Sequence, residues 1–183
     1  MVLTSRHARI GDIADLQVVM DEAIAELQRG FLTGAQIESS RAIMGIDTQL
    51  IDDGTYFVVH VEGAIAGCGG WSRRATMYGH DSTPRRDSRL LDPRTEAARV
   101  RAMYTSRAFT RRGVGRLILS LCAEAAAAEG FTRLELMATL SGQSLYASCG
   151  FESVEHIEDT TGGVAVPLIK MVRPVEHVST RQR

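Results

Sequence analysis

A short segment of the chain combines residue types that bind anions. Residues 111–116 read Arg-Arg-Gly-Val-Gly-Arg and stand between a stretch rich in strand-forming residues and a stretch with helical spacing. The first turn of a helix leaves backbone N–H groups without intrahelical partners, and the helix dipole adds partial positive charge there. Glycine also lets a phosphate approach the main chain. The segment therefore predicts an anion site where a glycine turn opens onto a helix.

Arginine is concentrated around this segment. Residues 94–116 contain seven arginines and a single acid, Glu96. The arginines are Arg94, Arg99, Arg101, Arg107, Arg111, Arg112 and Arg116. Lysine occurs only at position 170, so part of this excess reflects a chain-wide preference for arginine. The net charge of the whole chain is −1, so we expect neither nucleic acid nor a membrane surface as a partner.

Length and composition predict one soluble domain. The chain has 183 residues, and no apolar run approaches the roughly 20 residues that a membrane span needs. We interpret residues 1–175 as a single domain and residues 176–183 as a polar C-terminal tail. The first nine residues lack the apolar core of a signal peptide, so a cytoplasmic location is expected. The three cysteines form no Cys-x-x-Cys pair, which predicts neither a disulfide framework nor a metal site.

The rest of the chain alternates strand and helix patterns that would position the segment. Predicted strands cover residues 6–9, 56–61, 64–71, 97–105 and 131–138, another begins at Phe151, and the last covers 164–172. Predicted helices run from an N-cap at Asp12 through Leu27, from residue 33 or 34 to 47, from 114 to 129 and from 144 to 149. Residues 73–94 show no period and predict a surface loop. The order predicts a mixed sheet covered by helices.

Three local features make sharper predictions. Residues 56–61 and 64–71 predict a β-hairpin, and the glycines of its second strand are costly unless a bulge or an approaching ligand needs the room. Pro167, within the last predicted strand, indicates an edge position or a bulge. The helix that begins at Val114 has one apolar face, which is expected to pack on the sheet. The members of that face are Val114, Leu117, Ile118, Leu121, Cys122 and Ala125.

Two motifs carry a resemblance to a known family. The first is Val-Arg-Ala-Met-Tyr-Thr-Ser-Arg-Ala-Phe-Thr-Arg-Arg-Gly-Val-Gly-Arg at 100–116, and the second is Leu-Tyr-Ala-Ser-Cys-Gly-Phe at 145–151. They are similar to an Arg/Gln-x-x-Gly-x-Gly/Ala turn and a Tyr-x-x-x-Gly-Phe helix end, in that order and about one helix and one strand apart. Over nearly its whole length the chain resembles the GNAT superfamily of acyl-CoA-dependent N-acyltransferases.

The resemblance implies a fold and a cofactor. The fold is an α/β (α+β mixed) GNAT fold, in which about four helices flank a central, mixed, largely antiparallel, splayed sheet of about six to seven strands. The cofactor is acetyl-CoA: the turn holds the pyrophosphate of coenzyme A, and the preceding strand pairs with the pantetheine arm. The residues assigned to it are Met103, Tyr104, Thr105, Arg111, Arg112, Gly113, Val114, Gly115 and Arg116. Thr110 departs from the family, which most often has Arg or Gln there.

The resemblance also implies a reaction. Such enzymes move an acetyl group from acetyl-CoA to a primary amine of a small molecule or peptide by direct attack in a ternary complex. Tyr146 matches the tyrosine that protonates the leaving sulfur, and a backbone N–H near Met103 would stabilise the oxyanion. The general base is left open between Glu96, Glu135 and a chain of water molecules.

Other questions stay open at this stage. The Thr110 departure supports an alternative, a non-catalytic acyl-CoA-binding module that senses the cofactor. A dinucleotide-binding fold is disfavoured because the turn lacks a third glycine. A homodimer fits the habit of the family. Trp71 either lines the acceptor pocket or fills the core.

The charge of the acceptor is also open. Four arginines of the predicted loop favour an acidic acceptor, whereas three carboxylates favour a cationic one. The arginines are Arg73, Arg74, Arg85 and Arg86, and the carboxylates are Glu22, Glu26 and Asp81.

Overall fold

A single seven-stranded sheet runs through the chain. The computed structural model describes residues 2–175, so the predicted tail lies outside the described residues. The strands are β1 (Leu3–His7), β2 (Tyr56–Val61), β3 (Ala64–Ser72), β4 (Ala98–Thr105), β5 (Arg133–Thr139), β6 (Glu152–Asp159) and β7 (Val166–Pro174). The helices are α1 (Ile13–Glu26), α2 (Gly34–Ser40), α3 (Thr48–Asp52), α4 (Val114–Ala128) and α5 (Gln143–Ser148).

The strand order of the sheet is β1-β2-β3-β4-β5-β7-β6. Every neighbouring pair is antiparallel except β4 and β5, which are parallel. The expected mixed, largely antiparallel sheet is therefore confirmed. The described residues form five α-helices rather than about four, because the second helical pattern is two helices. Gly45 lies in the left-handed region between them, and Asp47 starts α3 by accepting a hydrogen bond from the backbone N–H of Gln49 at 3.2 Å.

Both faces of the sheet are covered. Alternate residues of β2 point to opposite faces: Phe57 and Val59 join the core under α4, while Tyr56 and Val58 join the core under α1. The predicted spacing of α1 is confirmed. Asp12 precedes it as predicted, but its carboxylate accepts hydrogen bonds from Arg6 and from the backbone N–H of Arg9, not from the helix.

The buried face of α4 is rotated from the predicted one. Leu119 and Ala126 are fully buried, whereas Leu117 and Leu121 are only partly buried. At the first turn of α4, Leu145 of α5 packs so closely on Gly115 that a Cβ there would lie 2.6 Å from its Cδ2. This contact adds a covering element to the flank of α4 that the single-helix pattern treats as exposed.

The glycines of β3 make room for protein atoms. A Cβ at Gly70 would lie 2.4 Å from the carbonyl oxygen of Thr55, and one at Gly69 would lie 2.7 Å from Cγ of Met103. The register between β3 and β4 shifts between Cys68 and Gly70, and the extra residue of this bulge is in β4, not in the glycine-rich strand β3. Close packing of strands, not an approaching ligand, explains these glycines.

The prediction for Pro167 needs correction, and the two alternatives for Trp71 are resolved. β7 lies between β5 and β6, so Pro167 is not on an edge strand, and the β6–β7 bulge falls at Ser153 and Glu155 instead. Pro167 lies one residue beyond the last β5–β7 pair, which is Thr139 with Leu168. Trp71 is 1% exposed and packs edge-on against Phe131, so it fills the core. Among the described residues, no helix has both the length and the apolar character to cross a membrane.

The Gly70 contact can be tested by adding one carbon. We expect Gly70→Ala to lower the free energy of unfolding by about 1–3 kcal/mol, since the new Cβ would overlap a backbone carbonyl that has no room to move. Gly34→Ala is the control, because no atom lies within 4 Å of a Cβ at the start of α2. Urea denaturation measures both; equal stabilities for the two variants would contradict the packing argument.

Candidate functional site

The sheet opens between β4 and β5. These strands pair only at Ala98 with Leu134 and at Arg99 with Glu135, and beyond those two pairs they diverge. A bulge accompanies the divergence: Ala102 has a φ of +50°, and Ala102 and Met103 together face the single residue Gly69 of β3. The hydroxyl of Tyr56 donates a hydrogen bond to the Ala102 carbonyl at 2.7 Å. The buried side chain of Tyr56 therefore holds the bulge in place.

A cleft of about 610 Å³ occupies this opening. Its walls are the end of β4, the turn into α4, the start of α4 and the segment that contains α5. Nine of the predicted site residues line it: Met103, Tyr104, Thr105, Arg111, Gly113, Val114, Gly115, Arg116 and Tyr146. Arg112 is not among the lining residues; its guanidinium lies 5.8 Å above the ring of Phe109, which does line the cleft. The structure thus brings together residues 43 positions apart along the chain, from Met103 to Tyr146.

The turn into α4 is shaped to present backbone N–H groups. Arg111 and Gly113 both have left-handed backbones, with φ of +62° and +85°. Gly113 caps α4 without a side-chain hydrogen bond, and intrahelical bonding begins with the N–H of Leu117, which donates to the Gly113 carbonyl at 2.9 Å. The N–H groups of the first turn precede that bond. Together with Arg111 and Arg116 they form a positively polarised end of the cleft, as the sequence predicts.

Thr110 has a local role in this turn. Its hydroxyl donates a hydrogen bond of 3.1 Å to the Arg107 carbonyl, and it lines the cleft. Threonine therefore supports the turn through one short bond, where a longer arginine or glutamine could reach further.

Tyr146 stands at the other side of the opening. It lies on α5, is half-buried, and packs edge-on against Phe151 with ring centroids 5.9 Å apart. Its apolar surroundings raise the pKa of Tyr146 well above that of a free tyrosine. The phenol therefore keeps its proton at neutral pH and can donate it.

A smaller cavity of about 90 Å³ adjoins the cleft. The two share Met44, Met103, Tyr104, Thr139 and Tyr146 as walls. The further walls of the smaller cavity are Ile43, Met77, Tyr78, Gly79, Val100, Arg101, Ala102, Leu136, Met137 and Leu168. Sequence reasoning missed this cavity because its walls come from six separate parts of the chain. The available signal was Arg101, a charged residue between the apolar Val100 and Ala102 of β4.

Arg101 belongs to a buried chain of charges. The carboxylate of Asp47 is fully buried, and its two oxygens lie 2.6 Å from Arg86 and 2.8 Å from Arg101. Arg86 also lies 3.3 Å from Asp81, which is partly exposed. Arg101 further donates a hydrogen bond of 2.8 Å to the Gly79 carbonyl, and burial lowers the pKa of its guanidinium.

Residues 73–97 form the predicted loop, and ion pairs anchor it. Arg73 pairs with Glu129 at 2.6 Å, Arg74 pairs with Asp53 at 2.7 Å, and Tyr78 donates a hydrogen bond to Asp159 at 2.8 Å. Burial, followed by the bond to Asp159, raises the pKa of Tyr78 to about 12.

Most charges that were considered for the acceptor are also engaged. Arg73, Arg74 and Arg86 stabilise the loop, Asp81 pairs with Arg86, and Glu26 pairs with Arg29 and Arg107. Glu22 accepts a hydrogen bond from Ser106 at 3.2 Å. These side chains therefore give no direct indication of the acceptor's charge.

Neither carboxylate that was predicted as a base lines the cleft or the smaller cavity. Glu135 lies where β4 and β5 still pair, forms an ion pair with Arg99, and lies 3.1 Å from Lys170 on β7. Glu96 accepts hydrogen bonds from Arg89 and from the backbone N–H of Asp92. The bond from Arg89 lowers the pKa of Glu96 to about 2. The structure brings neither residue to Tyr146.

Comparison with known families identifies this arrangement. A family model described as an acetyltransferase (GNAT) domain matches residues 52–153, which is more than half of the chain. The chain belongs to the GNAT acetyltransferase family. It is an acyltransferase, and the family binds cofactors of the coenzyme A type. No curated protein matches the sequence significantly.

Solved structures share the GNAT fold at low sequence identity. A GCN5-related N-acetyltransferase from Rhodopseudomonas palustris is 15% identical, with a TM-score of 0.69 over 95% of this chain and 98% of that one. The PaiA N-acetyltransferase from Thermoplasma acidophilum, in complex with coenzyme A, is 14% identical, with a TM-score of 0.65 over 95% and 99%. The ribosomal-protein-S18-alanine N-acetyltransferase from Escherichia coli is 15% identical, with a TM-score of 0.58 over 100% and 99%.

The GNAT turn makes a prediction about coenzyme A binding. We expect Arg111→Glu to raise the dissociation constant for coenzyme A about 10- to 100-fold, because a charge-assisted contact to phosphate contributes roughly 1.5–3 kcal/mol. Isothermal titration calorimetry measures it. Arg94→Glu is the matched control: it makes the same change of charge at a side chain that is 86% exposed and outside the cleft. Equal affinities for the two variants would mean that the phosphates bind elsewhere.

Proposed function

We propose that this GNAT protein transfers an acetyl group from acetyl-CoA to a primary amine of a small molecule or peptide, by direct attack in a ternary complex. One observation carries the proposal: the divergence of β4 and β5 brings the anion-binding turn, the β4 bulge and Tyr146 onto one cleft. The turn, the bulge and the half-buried Tyr146 can each be explained by folding alone. Their convergence on one opening, in a chain of this family, supports catalysis of acyl transfer.

The residues present fit a coenzyme A thioester. The α4 turn offers backbone donors and the side chains of Arg111 and Arg116 to a pyrophosphate. β4 has no strand partner on its β5 side beyond Arg99, so its backbone from Met103 to Thr105 is available to a pantetheine arm. PaiA from Thermoplasma acidophilum is a relative of the same fold in complex with coenzyme A, which supports this assignment. When bound, the thioester supplies an electrophilic carbonyl and a thiolate leaving group.

The chain's own groups then have distinct tasks. A backbone N–H at the bulge near Met103 donates to the carbonyl oxygen as negative charge develops on it. Tyr146 lines the cleft beside β4 and donates its proton to the departing sulfur. The half-buried ring of Tyr146 also reduces the access of water to the sulfur.

The proton of the amine needs a separate route. Of the three candidates for the base, we favour a chain of water molecules, because neither Glu96 nor Glu135 is among the residues that line the cleft. Both carboxylates are held by arginines outside the opening.

Transfer itself is tested with Tyr146→Phe. Release of the coenzyme A thiol is followed across a panel of primary amines, and the acetylated product is identified by mass spectrometry. We expect the wild type to turn over and Tyr146→Phe to lose about 10²- to 10⁴-fold in kcat, the usual contribution of a general acid, with little change in affinity for coenzyme A. Tight binding of coenzyme A with no turnover of any amine would instead support the non-catalytic binding module.

The bulge gives a second test of the same site. We expect Tyr56→Phe to lower kcat about tenfold or more, because it releases the Ala102 carbonyl and a displacement near 1 Å can cost about 100-fold in rate. Ser40→Ala is the control, since it also removes a buried hydroxyl bonded to a carbonyl, that of Ile37. Both should lower the free energy of unfolding by about 1 kcal/mol. A matching loss of kcat in Ser40→Ala would contradict a specific role for Tyr56.

A further inference from the structure

The two cavities contain no carboxylate among their lining residues. The charged side chains that line the larger cleft are Arg111 and Arg116, both at the α4 turn, and the one that lines the smaller cavity is Arg101. An acceptor that carries only a cationic ammonium would therefore meet no opposite charge there. It would instead approach a guanidinium, which is unfavourable in a site that excludes water.

Arg101 has hydrogen-bonding capacity left over. Its side chain is 2% exposed, and its guanidinium pairs with Asp47 and with the Gly79 carbonyl through one terminal nitrogen. Its Nε has no hydrogen-bond partner among the residues that the structure describes. Asp47 is shared between Arg86 and Arg101, and Arg86 also pairs with Asp81, so the capacity left at Arg101 is the unpartnered Nε donor. A buried donor without a partner is costly, so a ligand that supplies an acceptor oxygen here would be stabilised.

The other polar groups of the smaller cavity already have partners. The hydroxyl of Tyr78 donates to Asp159, that of Tyr104 is bonded to the backbone of Gly45, and that of Thr139 is bonded to Ser141. Tyr146 is assigned to the sulfur. Arg101 is therefore the group left to recognise an acceptor. The remaining side chains of the cavity are apolar, chiefly Ile43, Met44, Met77, Met137 and Leu168.

We infer that the acceptor is an amino acid with a free carboxylate and a small aliphatic side chain, and that Arg101 binds the carboxylate. The inference rests on the proposed acetyl transfer. The volume of about 90 Å³ is less than the roughly 150 Å³ of an apolar cavity that holds one benzene molecule, so only part of a small acceptor enters it and the rest lies in the adjoining cleft. The guanidinium draws the carboxylate into the smaller cavity, and the neighbouring amine then lies towards the shared walls with the cleft.

The reaction balances without another reactant. The amine nitrogen, in its neutral form, attacks the thioester carbonyl carbon, so that a C–N bond forms and the C–S bond breaks. The nitrogen loses one proton to water, and the sulfur gains one from Tyr146, which recovers it from solvent. The products are the N-acetyl amino acid and free coenzyme A.

The decisive experiment compares acceptors that differ only in the carboxylate. Valine, valinamide and isobutylamine share the branched aliphatic part, but only valine carries the anion. We expect kcat/KM with acetyl-CoA and full-length protein to be at least tenfold higher for valine than for either of the others. The carboxylate makes the amine more basic, so the neutral amine is scarcer in valine and intrinsic reactivity favours valinamide. Equal or faster acetylation of valinamide or isobutylamine would overturn the inference.

Arg101→Gln tests the residue itself. We expect it to raise KM for valine at least tenfold, to bring the valine-to-valinamide ratio close to one, and to leave KM for acetyl-CoA unchanged. Arg86→Gln is the matched control, because it removes the other guanidinium from Asp47 but lines neither cavity. It should lose stability without losing selectivity. The same loss of selectivity in both variants, or none in Arg101→Gln, would refute the role of Arg101.

Failure of this inference differs from failure of the proposed function. If other amines are acetylated but no amino acid is, the enzyme is a transferase with a different acceptor. If coenzyme A binds and no amine of any kind is acetylated, the transferase proposal fails, and the inference fails with it. If Arg101→Gln does not fold, the comparison of the three acceptors with the wild type still decides the question.

Discussion

The divergence of two parallel strands is the constraint on which the site depends. β4 and β5 stay paired for two residue pairs and then part, and a single carboxylate sits where pairing ends. Glu135 of β5 binds Arg99 of β4 on one side and Lys170 of β7 on the other, so it ties three strands together at the closed end of the opening. Its burial makes this triad less screened by salt than a surface pair. The bulge at Ala102 then turns β4 away.

The sequence predicts Glu135 as a base from its position alone. In the sequence it is an acid on a predicted strand close to the catalytic segment, which is where a base would be useful. Its partners are 36 residues earlier and 35 residues later in the chain, and only the register of three strands brings them together. Ion pairs that depend on the register of strands cannot be predicted from residues that are close together in the sequence. The same holds for Pro167, whose position depends on a strand order that the sequence does not state.

The strand–turn–helix part of the cleft could be predicted from the sequence, because it is nearly contiguous. Strand, glycine turn and helix start follow one another from residue 98 to residue 116, and local backbone preferences largely determine their geometry. The fold class followed from strand and helix periodicity along the rest of the chain. What periodicity could not give was the rotation of α4, or the contact between Gly115 and a helix 30 residues later.

The acceptor half could not be predicted, and the reason is physical. Its cavity is assembled from the residues before α3, the loop at 77–79, and strands β4, β5 and β7, so no local stretch contains its pattern. Three arginines that suggested an acceptor charge instead form ion pairs that hold the loop in place: Arg73 with Glu129, Arg74 with Asp53 and Arg86 with Asp47.

Two consequences follow from the separation of the two cavities in the sequence. Substitutions in the loop at 77–79 and at residues 43–44 can change the smaller cavity while leaving the α4 turn intact. Conversely, Arg101 lies on β4, the strand proposed to pair with the cofactor, and it also lines the smaller cavity. On the proposed assignment, a change at that one position alters acceptor recognition without removing any group of the α4 turn.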